Sequence, residues 1–131
     1  MDIRVTRPVL DRLLAEAARS APEECCGLLL GRAEIIAEAR PAANVAADRR
    51  RRFEIDPQSL VDAHREERSG GPQVLGYYHS HPNGPAAPSA TDRAQAAHDG
   101  RVWAIVGEGD VAFWRDEEAG FVPLSYAVVD G

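Results

Sequence analysis

Two histidines, His79 and His81, stand one residue apart at the end of the apolar run Val74 to Ser80. Successive side chains of a strand point to opposite faces, so positions i and i+2 send both imidazoles to the same side. That placement suits two ligands to one ion. A catalytic zinc takes three protein ligands and keeps a position open, so a third donor is needed. Asp92 can supply it, because Pro82 to Pro88, with three prolines and one glycine, is a stiff loop able to fold the following residues back towards the histidines. Each residue also has a plainer reading: a strand histidine as a satisfied polar side chain, Ser89 as a helix N-cap, Asp92 as an acidic residue favoured at a helix N-terminus. It is the compound pattern, His-x-His at a strand end followed by Ser-x-x-Asp at a helix start, that selects a metal site.

Around this cluster stands a chain of 131 residues, the size of one domain, with 44% hydrophobic and 27% charged residues, as in an ordinary globular protein. One domain over residues 1–131 is expected. A net charge of −6 argues against a nucleic-acid partner, whose affinity would rest on clustered cations; the one basic run, Arg49 to Arg52, reads first as a solvated loop. All 15 basic residues are arginine, which excludes Schiff-base and P-loop lysine chemistry. The N-terminal residues form no signal-type apolar segment and no stretch approaches a membrane span, so no membrane association and a cytoplasmic location are expected. Cys25 and Cys26 are adjacent, face opposite sides of a strand and so cannot easily share an ion; they read as core residues with no disulfide.

The elements that must position these groups follow from periodicity. A short strand at Ile3 to Val5 precedes a helix ending near Arg19, with Thr6 as N-cap and Pro8 in its first turn. Cys25 to Leu30 and Ile35 to Ala39 read as a hairpin about a turn at Gly31 to Ala33, followed by a long loop from Pro41 to Arg52 and a short strand at Phe53 to Ile55. Asp56 and Pro57 open a second helix running to about Arg68. Val74 to Ser80 is a buried strand, and a third helix runs from Ser89 to about His98. Val102 to Val106, Val111 to Trp114 and Phe121 to Val129 complete a mixed sheet with three helices, an α/β or α+β fold. His64 and His98 fall on predicted helices without spaced partners, and Trp103 and Trp114 in predicted strands read as core; none is assigned to the site.

The run His79-Ser80-His81, seven residues beginning with Pro82, Ser89, two residues, Asp92 resembles the zinc signature of the JAMM/MPN+ metallopeptidases in spacing throughout. Upstream, Glu24-Cys25-Cys26-Gly27-Leu28-Leu29-Leu30-Gly31 resembles that family's glutamate-bearing strand, with Glu24 at the matching position. Phe53-Glu54-Ile55-Asp56-Pro57 resembles the middle segment of its small prokaryotic members. The resemblance implies a cytidine-deaminase-like fold. The His-x-Glu and Pro-Cys-x-x-Cys groups of the deaminases are absent, which disfavours base deamination. It further implies one zinc per chain held by His79, His81 and Asp92. The ion would acidify a water and polarise the scissile carbonyl while Glu24, as general base, takes the water proton and passes it to the leaving amine. Ser89 is the implied oxyanion partner, a contribution of about 3 kcal/mol in comparable sites.

The resemblance also implies a substrate: the bond at the C-terminal tail of a ubiquitin-like or sulfur-carrier protein, cut to release a terminal cysteine or to expose Gly-Gly. The shortness of the chain speaks against polyubiquitin. Arg49 to Arg52 could meet an acidic carrier. Two other functions compete, a small-peptide amidohydrolase with the same zinc site and a non-catalytic MPN scaffold; the intact set Glu24, His79, His81, Ser89 and Asp92 speaks against the scaffold. Oligomeric state is not encoded in any feature of the sequence.

Overall fold

The computed structural model describes residues 2–131. β1 (Ile3–Thr6) runs directly into α1 (Arg7–Ser20), with Pro8 in the first turn, where a missing N–H is no loss. Thr6 takes the N-cap position in extended backbone, but its hydroxyl makes no capping bond. β2 (Cys26–Arg32) and β3 (Ile35–Ala42) form the expected hairpin. The turn centres on Ala33 and Glu34, one residue later than expected, with φ of 51° and 69°, the two left-handed positions that match the twist of the flanking strands.

The predicted strand at Phe53 to Ile55 is reduced to one bridge, Asn44 to Ile55, at the neck of the intervening loop. α2 (Pro57–Arg68) is capped by the Asp56 carboxylate, which accepts from the backbone N–H of Gln58 at 3.3 Å. β4 (Gln73–His81), α3 (Ala90–Gln95), β5 (Val102–Gly107), β6 (Asp110–Glu117), β7 (Gly120–Leu124) and β8 (Tyr126–Val129) follow.

The sheet has eight strands in the order β7-β6-β5-β4-β2-β3-β1-β8. β4 pairs antiparallel with β2 and parallel with β5, so the strand bearing both histidines lies in the middle with partners on both sides. Alternation then divides the core. Leu29, Tyr78, Ala104 and Val106 face one side with Val9 and Leu13 of α1, while Leu28, Leu30, Val74 and Trp103 face the other with Ala63 of α2. This is the mixed α+β architecture with three helices that the sequence implied.

Two boundaries differ from expectation. The third helix stops at Gln95 instead of near His98, because Ala96 turns extended, His98 enters the left-handed region at φ 58° and its N–H is taken by the buried Asp116 carboxylate at 2.9 Å. The single strand expected over Phe121 to Val129 is two, broken at Ser125, and its halves lie on opposite edges of the order. Ser125 and Asp2 lock this switch through reciprocal bonds of 2.8 and 3.2 Å. The edge position of β7 also accommodates Pro123, which has no ladder N–H to give. No helix among the described residues is long and apolar enough to cross a membrane.

Candidate metal centre

His79 and His81 leave the end of β4 on the α2 face, as their spacing requires, and α3 brings Asp92 to them. His79 Nε2 lies 3.1 Å from His81 Nε2 and 3.0 Å from Asp92 Oδ1, and His81 Nε2 lies 3.1 Å from Asp92 Oδ2. A tetrahedral zinc with Zn–N bonds of about 2.0–2.1 Å separates its ligand atoms by about 3.3 Å, so the three donors already stand near the edge length of such a site. They are the His/Cys/Asp/Glu group among the described residues that could hold a metal ion.

The protonation pattern fits a cation as well. His81 Nδ1 is 2.8 Å from the Pro85 carbonyl, which can only accept, so this nitrogen carries a proton and, in the neutral ring, Nε2 is the nitrogen left to ligate. Two imidazole nitrogens and a carboxylate thus converge, hydrogen-bonded to one another while the rings carry Nε2 protons and three ligand atoms once the rings are neutral. Burial would raise the Asp92 carboxyl, but the hydrogen bonds with His79 and His81 outweigh it and hold the group well below the usual carboxylate range. Burial lowers His79, which favours its neutral, ligating form, whereas at His81 burial is outweighed by Asp92 and the Pro85 carbonyl, which raise it.

Asp92 is fixed in turn by a capping box: its carboxylate accepts from the Ser89 N–H at 2.9 Å while Ser89 Oγ accepts from the Asp92 N–H at 3.0 Å. The plain N-cap reading of Ser89 is therefore realised. It uses only the acceptor side of the hydroxyl, and the O–H remains available to another group.

Glu24 sits just before β2 and opens with His81, Ser89 and the proline-rich loop onto one cleft of about 270 Å³. It is buried and its Oε1 has no hydrogen-bond partner among the described residues. Burial raises its carboxyl to about 7, with Asp92 and Asp48 adding to the rise and His81 opposing it. A carboxyl near neutrality can both take and return a proton.

Several supports were not visible in the sequence. Phe53 stacks on His79 with ring centroids 4.2 Å apart and planes at 19°, and Trp103 meets the same ring edge-on at 5.5 Å, so this buried tryptophan packs against the cluster as well as in the core. Trp114, expected only in the core, donates its indole N–H to the Ala86 carbonyl at 3.2 Å and steadies the proline-rich loop.

Gly107, paired with His81 across β4 and β5, lets that loop lie on the strand end. A Cβ there would come within 2.5 Å of the Gly84 oxygen and the Pro85 carbonyl carbon. Gly107→Ala should therefore push Pro85 off His81, and a zinc ion offered to this cluster should bind roughly 10–100-fold more weakly than to the unaltered chain, the usual effect of losing an outer hydrogen bond on a ligand. Competition titration with a zinc-sensitive dye measures this, and unchanged affinity would refute the role given to the glycine.

His98 lies past α3, bonded through Nδ1 to the Glu117 carbonyl at 3.0 Å, and His64 stays on α2; neither joins the cluster. Cys25 and Cys26 are buried free thiols, pushed up by burial to about 11 and about 12. Iodoacetamide at pH 8 should thus leave both unmodified in the native chain and label both after denaturation. Rapid native labelling would contradict this packing.

The sequence profile of the prokaryotic homologs of the JAB domain matches residues 6–117. The desampylase of Haloferax volcanii is 38% identical over 125 residues, covering 92% of this chain and 88% of that protein. A probable TtuB-protein conjugate cleaving protease of Thermus thermophilus is 37% identical over 92 residues, covering 70% of this chain and 62% of its own length. Among solved structures, a protein of Desulfitobacterium hafniense superposes with a TM-score of 0.86 at 26% identity, over 98% of this chain and 94% of that one. The structure described as a JAMM metalloprotease-like zinc site in the proteasome and signalosome shares the fold, with a TM-score of 0.65 at 19% identity, covering 99% of this chain and 100% of that one. With the profile spanning most of its length, the chain belongs to the family of prokaryotic homologs of the JAB domain.

Proposed function

We propose that this chain is a zinc-dependent peptidase or isopeptidase acting at the C-terminal tail of a ubiquitin-like or sulfur-carrier protein. His79, His81 and Asp92 would hold one ion, Glu24 would act as general base and Ser89 would stand beside the developing oxyanion. The observation that carries this reading is the convergence of two imidazole nitrogens and a carboxylate to 3.0–3.1 Å beside a buried, unpartnered Glu24 carboxyl. When bound, zinc would supply Lewis acidity to the scissile carbonyl and acidify a water. Glu24, raised to about 7, takes the proton of the attacking water and delivers it to the leaving amine as the C–N bond breaks. Ser89, accepting from Asp92 N–H, keeps its own proton free to donate to the carbonyl oxygen as charge develops there.

The substrate class is supported by relatives named a desampylase and a probable TtuB-protein conjugate cleaving protease, the second a protease of a protein conjugate by its name. The cleft at Glu24 also carries Arg50 of the arginine run at its wall, a cation placed to meet an acidic carrier. The deciding experiment follows the intact mass of a ubiquitin-like sulfur carrier from the same organism, extended by one cysteine after its diglycine, on incubation with zinc-loaded chain. Loss of one cysteine residue, abolished by a chelator and by Glu24→Gln, supports the assignment. Unchanged carrier mass, with zinc bound and with a carrier–lysine conjugate equally untouched, defeats the substrate class.

A further inference from the structure

Glu24 lies outside β2, where the regular ladder has ended. Its own N–H and C=O are nevertheless both held, and by one excursion of the chain, residues 43–56. The Glu24 N–H donates to the Arg49 carbonyl at 2.7 Å, at the tip of the excursion, and the Glu24 carbonyl accepts from Asn44 Nδ2 at 3.0 Å, at its neck. The second Nδ2 proton goes to the Arg52 carbonyl at 3.1 Å, and Asn44 Oδ1 accepts from the N–H groups of Ala46 and Glu54, both at 3.1 Å. A primary amide offers two donors and two acceptor sites, and Asn44 spends all four on backbone.

We propose that Asn44 is a positioning residue for Glu24: its side-chain amide pins the arginine-bearing loop to the backbone of the general base and so aims a carboxyl that nothing else holds. The inference rests on the reading of Glu24 as the base. Its physical core is independent of that reading. Glu24 Oε1 has no hydrogen-bond partner among the described residues, so the side chain's direction follows from where its backbone is fixed. Only an Asn-sized amide fulfils the four contacts: Asp retains the acceptors for Ala46 and Glu54 but has no donor for Glu24 and Arg52, and Ala retains neither. A misplacement of about 1 Å in a reacting group can cost on the order of 100-fold in rate.

The test compares zinc-loaded wild type, Asn44→Ala and Asn44→Asp on the cysteine-extended carrier. Expected are one zinc per chain in all three and a kcat lower by roughly 10–100-fold in both variants, with any rise in KM, through Arg50 of the same loop, smaller than the fall in kcat. A raised KM with intact kcat would overturn the proposal, since it would mean that the loop only contacts substrate. If Asn44→Ala does not fold, Asn44→Asp carries the comparison, because it keeps the acceptor for the N–H groups of Ala46 and Glu54. Amide hydrogen exchange supplies a reading that needs no turnover: the Glu24 N–H should exchange at least tenfold faster in the variants. Should wild type leave the carrier intact, faster exchange would preserve the clamp while the substrate assignment fails; unchanged exchange removes the clamp itself.

Discussion

Glu24→Gln is expected to lower kcat by roughly 10²–10⁴-fold, the range that a positioned general base contributes, while zinc content stays at one per chain. Glutamine keeps the shape and fills the same buried space but cannot accept a proton. Nothing in the convergence of His79, His81 and Asp92 passes through Glu24, so the ion should remain. Steady-state cleavage with metal analysis on the same sample separates the two effects; peptidase activity retained in the purified variant would end the assignment.

The same substitution has an opposite effect on stability in chelator-treated protein. Burial raises Glu24 to about 7 from an ordinary 4.5, so between these values the folded chain holds a proton that the unfolded chain has released. Stability attributable to this group is therefore present below about pH 4.5 and lost as pH rises to about 7. Glutamine escapes that loss, and Glu24→Gln should raise Tm more at pH 8 than at pH 5. An equal gain at both values would show that the carboxyl is not desolvated as described.

His81→Ala is expected to abolish both zinc binding and turnover. His79 and Asp92 alone leave the ion two protein ligands, short of the three that a catalytic site requires, so affinity should fall well beyond the roughly 10–100-fold seen when only an outer hydrogen bond is lost. The fold should survive, because the His81 side chain, though mostly buried, bonds only to Pro85 and to the cluster itself. Dialysis followed by metal analysis, with circular dichroism as control, gives the answer, and a folded variant that still carries one zinc would remove His81 from the ligand set.

What the sequence disclosed about the site was what local geometry determines. His79 and His81 share a face because of strand alternation, and Ser89 with Asp92 announces a helix start; both survive any tertiary arrangement. Glu24 was reached only through family resemblance, since a glutamate beside two cysteines has no spacing that marks it as a base. Asn44, Phe53, Gly107 and Trp114 were invisible for another reason: their roles come from chain segments that meet only in three dimensions, such as Gly107 beneath Pro85. The fold showed the same division. The hairpin, the two longer helices and the central strands were legible from periodicity, whereas the end of α3 was fixed by Asp116 and the break at Ser125 by Asp2, each distant in sequence.

That break at Ser125 bears on how the chain reaches this state. β8 docks beside β1, so the contacts of Asp2 with Ser125 span 123 positions, and closing so long a segment is entropically the costliest step in the sheet. The β2–β3 hairpin, by contrast, closes over two intervening residues. Nucleation should begin at the tight hairpins β2–β3, β5–β6 and β6–β7, and the β1–β8 pair should join last and loosen first. The His79, His81 and Asp92 cluster, on the strand that joins the two sets of hairpins, lies away from that seam, and fraying at β1–β8 can come and go without disturbing it.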